Sequence, residues 1–157
     1  MKKLLTLIMI FVLWAFAVQS QSIKDAKDHI YNQRFETAKT VLQSVITNDK
    51  TPEAYYLLGE IYLKEKNNDA ARKILQQGLD YVKAEDISMK KAPLVHIGQA
   101  HLMLNEGKTA EARLLLEEVL TAGKYRDGDA LLAAGRANID SKFGDITWAV
   151  ETLAEAI

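Results

Sequence analysis

The side chains in this 157-residue sequence with the makings of chemistry are a Gly-Lys-Thr run, three histidines, and scattered serines and carboxylates. Gly107-Lys108-Thr109 has the ending of a phosphate-binding loop, in which backbone N–H groups cradle phosphates and the lysine reaches them. That loop also needs a glycine five residues earlier, where Leu102 stands, and a strand in front, where the residues keep helical spacing. A helix-ending glycine in an inter-helix turn accounts for Gly107 better. Of His29, His96 and His101, the last two are five apart. Zinc-binding pairs on a helix use i, i+3 or i, i+4, and no glutamate stands between these two as a general base. Ser44, Ser88 and Ser141 lack a G-x-S-x-G context, the strained strand-to-helix turn that exposes a nucleophile. Carboxylates such as Glu117-Glu118 read as solvated helix faces. No catalytic residue, metal ligand or cofactor is expected, and the chain reads as a non-enzyme.

Composition narrows the classes further. Lys+Arg (20) nearly balances Asp+Glu (21), so there is no clustered positive field of the kind nucleic acid requires. With no cysteine, a disulfide framework, a thiolate-bound zinc and a thiol nucleophile are all excluded. Residues 1–20 combine Lys2-Lys3, an apolar run from Leu4 to Val18 and a small residue before a polar stretch. That is the plan of a secretory signal, with cleavage expected after Ser20 or, as the alternative, after Ala17. An uncleaved anchor is the other reading, although the run is shorter than the roughly 20 residues of a spanning helix. Either reading places the remainder outside the cytoplasm, in the periplasm or another extracytoplasmic space. Membrane contact is then expected only through an uncleaved leader.

The rest of the chain must position whatever function it has, and its pattern is helical throughout. Ala38, Val41, Leu42, Val45 and Ile46 recur at three and four, and so do Ala71, Ile74, Leu75 and Leu79. Both sets form one stripe of a helix. Ala112, Leu115, Leu116, Val119 and Leu120 repeat the pattern, and no stretch alternates as a strand does. Short polar breaks divide the chain into about eight helices, with Asp69 and Pro52 suited to helix starts and Gly107 and Gly144 to left-handed helix ends. Short loops between them predict antiparallel neighbours.

The helices also repeat. Tyr55-x2-Leu58-Gly59-x2-Tyr62, followed by Ala71 and Leu75, resembles the tetratricopeptide repeat pattern W-x2-L-G-x2-Y…A-x3-F. Leu94-x2-Ile97-Gly98-x2-His101 with Ala112 and Leu116 reads as a second copy. Leu131-x2-Ala134-Gly135-x2-Asn138 with Ala149 and Leu153 reads as a third, and Phe35-x2-Ala38-x3-Leu42 as half of an earlier one. Small residues at the glycine and alanine positions would let paired helices cross closely. The spacing departs from the family in two copies: Gly59 to Ala71 is 12 residues, whereas Gly98 to Ala112 and Gly135 to Ala149 are each 14.

The resemblance implies an all-α fold of antiparallel helix pairs stacked as a right-handed solenoid over residues 22–157. The four pairs are expected at roughly 22–50, 52–84, 88–122 and 127–157. It also implies a concave face, lined by first helices, that holds a protein or peptide. Carried over by position, that face comprises Tyr56, Glu60 and Lys64; Val95, Gln99 and Met103 with His96 beside them; and Leu132, Arg136 and Asp140. The family's Lys/Asn/Arg grip on a C-terminal carboxylate is not reproduced, since Ile23, Lys27 and Leu57 stand at those sites. The apolar portion of the expected groove suits a hydrophobic or helical ligand. Leu153, Ala156 and Ile157 would lie uncovered at the end of the last pair. Stacked arrays need a polar-faced cap, so further repeats or self-association through that end is the second expectation.

Overall fold

A computed structural model describes residues 22–156; the expected leader over residues 1–20 and the end residue Ile157 lie outside them. The described residues form eight α-helices and no strand. They are α1 (Ile23–Tyr31), α2 (Phe35–Asn48), α3 (Pro52–Lys64), α4 (Asn68–Ala84), α5 (Pro93–Asn105), α6 (Thr109–Ala122), α7 (Gly128–Asp140) and α8 (Ile146–Ala154). Each odd-numbered helix packs on the even-numbered one after it, giving four pairs. Successive first helices lie side by side, α3 on α5 and α5 on α7, and each second helix also touches the next first helix.

Local chemistry sets the helix starts. Ser22 and Asp25 form a reciprocal capping box at α1, and Pro52 and Pro93 open α3 and α5, where a missing N–H costs nothing. The side chains of Asn67, Asp127 and Asp145 accept the backbone N–H groups of Ala70, Ala130 and Trp148. The cap of α4 is therefore Asn67. Asp69, expected to cap it, lies in the first turn and pairs with Arg72 at 2.6 Å.

The turns inside the first three pairs share one geometry. Gln33, Lys66 and Gly107 have φ of 58°, 60° and 81°. Their N–H groups bond the carbonyls of Ile30, Leu63 and Leu104. The following N–H groups, of Arg34, Asn67 and Lys108, reach back to His29, Tyr62 and Met103. This is the double closure of a Schellman-type helix end.

Counting from these turns corrects the expected register of the third pair. Seven residues before each left-handed residue stand Ala26, Gly59 and Ala100, and five after it Ala38, Ala71 and Ala112, all buried. Ala100, 12 residues from Ala112, is thus the counterpart of Gly59, and Gly98 is not. A Cβ on Gly98 would lie 2.7 Å from Leu75 and 3.1 Å from Tyr56. That glycine therefore opens space between pairs two and three. The fourth pair resolves its extra two residues differently. A Cβ on Gly135 would meet Leu153 at 2.5 Å, as one on Gly59 would meet Leu75 at 2.7 Å. Gly135 keeps the crossing role, and the added residues lengthen the turn before α8.

Gly144 lies in that longer turn, and it is not left-handed: Gly107 is the one described glycine with positive φ. Gly144 is needed because a Cβ there would collide with the backbone carbonyl of Asn138. Replacing Gly98 by leucine forces a side chain into the contact with Leu75 and Tyr56. The expected cost is about 1–3 kcal/mol, typical of overpacking, read as a lower urea midpoint. An unchanged midpoint would show that the layers are not in contact at Gly98.

Candidate partner groove

The residues one and five places after each crossing position converge on one face. After Gly59 they are Glu60 and Lys64; after Ala100, His101 and Asn105; after Gly135, Arg136 and Asp140. All six line a groove of about 850 Å³. Tyr56, Leu57 and Ile61 of α3 join them, as do Ile30 of α1 and Phe35 at the start of α2. Lys66 and Asn68 lie at the α3–α4 turn, and Ser141 and Lys142 in the turn after α7.

Two helices are joined across this groove. The Nδ1 of His101 lies 3.0 Å from both carboxylate oxygens of Glu60. A carboxylate only accepts, so Nδ1–H is the donor. His101 is 4% exposed, and this pairing accounts for a histidine in so buried a place. The Tyr56 phenol is held far above its ordinary pKa, chiefly by burial and next by the charge of Glu60, with Arg136 opposing. Lys64 sets its ammonium 4.8 Å from the centre of the Phe35 ring, a cation–π distance.

Of the expected face residues, Tyr56, Glu60, Lys64, Arg136 and Asp140 are brought together here. The four from the third copy, Val95, His96, Gln99 and Met103, are not. Val95 is fully buried and packs toward Gly78 of α4. Met103 packs into the core shared by the third and fourth pairs. Gln99 is half-buried, with its amide oxygen unpaired among the described residues. His96 is held below its usual pKa by burial, against a small opposing pull from Glu118. The cause is the register. Each helical residue advances about 100°, so a two-residue displacement turns the face by roughly 200°. Gly107, already identified as a helix end, was the signal that places His101 and Asn105 on this face. Leu132, one turn earlier on α7, lines a separate cleft of about 710 Å³ with Lys90 and Arg126.

The groups first singled out for chemistry have structural roles here. Gly107 closes α5, and Lys108 pairs with Glu106 at 2.7 Å. The Ser141 hydroxyl donates to the Ala137 carbonyl at 2.5 Å. Among the described residues, no three His, Asp or Glu side chains are grouped so as to hold a metal ion.

Comparison with known proteins agrees with the geometry. Residues 24–86, which hold the first two pairs, match a family model of the tetratricopeptide repeat. No curated protein and no solved structure matches the chain.

Proposed function

From the match of residues 24–86 to the tetratricopeptide repeat, we propose that the chain is a tetratricopeptide repeat protein and a non-catalytic scaffold of the bacterial cell envelope that holds a protein or peptide in the groove of its first helices. Repeats of this family generally mediate protein–protein interaction and are typically non-catalytic. The observation that carries the reading is the groove itself, which runs across all four pairs from Ile30 to Lys142. A continuous channel crossing several repeats suits an extended or helical segment better than a compact small molecule. The envelope location is supported by the basic start and apolar run of residues 1–20. It is checked by fractionation and by whether the mature chain begins at Gln21.

The groove is tested by placing a photo-crosslinking amino acid at Lys64 or at Arg136 in the cells that express the protein. Gln77, exposed on α4, serves as the outer-face control. Discrete adducts from the two groove positions and none from Gln77 are expected. Adducts formed only at Gln77 would contradict the assignment.

A second reading has its own observation. Ile139, Phe143, Ile146 and Val150 of the last pair and its turn are 45–60% exposed. An array leaves such a side for the next layer, which favours an assembly subunit whose last pair is permanently covered. Ile146→Lys with Val150→Lys would then release a fixed-stoichiometry complex, seen by sedimentation. A complex that survives both changes would rule it out.

A further inference from the structure

The groove is asymmetric, and the asymmetry specifies its ligand. Its apolar lining comes from the first two pairs, as Ile30, Phe35, Leu57 and Ile61. The third and fourth pairs supply His101, Asn105, Arg136, Asp140, Ser141 and Lys142. The sequence carries 20 Lys and Arg against 21 Asp and Glu, a net −1. The groove lining reverses that balance. It has four cations, Lys64, Lys66, Arg136 and Lys142, and two carboxylates, Glu60 and Asp140. Glu60 is already engaged by His101. None of the four cations has a carboxylate oxygen within ion-pair distance among the described residues.

Resting on the groove reading above, we propose that the ligand is an acidic, amphipathic segment of a partner protein. Its apolar side chains lie against the first two pairs, and its carboxylates meet Arg136 and Lys142 at the other end. Groove cations without an ion-pair partner attract acidic chains and repel basic ones. Phe35 and its neighbours supply the apolar contact, which charge alone does not provide. The channel thereby has an apolar-lined end and a polar one, and the bound segment has one preferred direction.

The test is selection from a phage-displayed random peptide library on the mature chain, followed by fluorescence anisotropy with the selected peptides. Two folded variants, checked by circular dichroism and melting, complete it. Arg136→Glu with Lys142→Glu inverts the polar end. Asn68→Trp obstructs the groove without changing its charge. Selected peptides should combine apolar and acidic residues. They should bind more weakly by about tenfold or more to the charge-inverted variant and more weakly in high salt. Peptides that are neutral or basic, yet lost on Asn68→Trp, would overturn the acidic ligand and leave the groove reading standing. If no selected peptide responds to either variant, the groove reading fails and this inference fails with it.

Discussion

Replacing Leu75 by alanine lowers the unfolding free energy by about 2–5 kcal/mol, the range for emptying a fully buried leucine site. Leu75 is 0% exposed on α4, and its methyl groups fill the space left by two glycines. A Cβ on Gly59 or on Gly98 would each come within 2.7 Å of it. Gly59 belongs to its own pair and Gly98 to the next, so one side chain closes a helix crossing and joins two layers. Its core neighbours Leu63, Ala71 and Leu102 span the same boundary. Stability in stacked repeats is a sum of unit and interface contributions. The variant is therefore expected to broaden the urea transition as well as shift it. A midpoint near the parent's would mean that the leucine is not the wedge described. The same geometry predicts a rescue. Gly98→Ala in the Leu75→Ala background fills vacated space and removes a helical glycine, recovering up to about 1 kcal/mol. In the parent, the same change meets Leu75.

Replacing Gly144 by alanine is expected to cost about 3 kcal/mol or more, at or above the usual top of overpacking. The obstacle is the backbone carbonyl of Asn138, which cannot swing aside as a leucine methyl can. The turn is also clamped from within. Asn138, 3% exposed, donates from Nδ2 to the Ala134 carbonyl at 3.2 Å. Its Oδ1 accepts the Asp145 N–H at 3.0 Å. Asp145 in turn caps α8 through the Trp148 N–H. A methyl group at Gly144 must open this clamp and lift α8 from α7, and amide exchange in Ile146–Ala154 should report it. Gly144→Asn separates the two accounts of this glycine. Asparagine tolerates a left-handed backbone but not a close approach, so a stable Gly144→Asn variant would restore the left-handed explanation.

Much of this protein was legible from local pattern. Apolar residues at three and four, with Pro52 at a helix start, marked the eight helices, because helix formation is governed by neighbours within a turn or two. The motif from Tyr55 to Leu75 carried the resemblance to the tetratricopeptide repeat, which placed Tyr56, Glu60 and Lys64 on the expected face. Counting went astray where helices had to be compared across turns. Gly98 looked like Gly59 in sequence, yet the left-handed backbone at Gly107 puts Ala100 at the crossing and brings His101 and Asn105 into the groove.

The amino-acid sequence by itself determined that these residues form paired helices, that small residues seat the crossings, and which side chains were available for recognition. Tertiary structure decided which face α5 presents, since two residues of register rotate a helix by more than half a turn. It alone also brought Glu60 and His101, 41 positions apart, to 3.0 Å. A chain carries no local mark of such a meeting. It arises only when α3 and α5 pack side by side and a buried imidazole must find its acceptor.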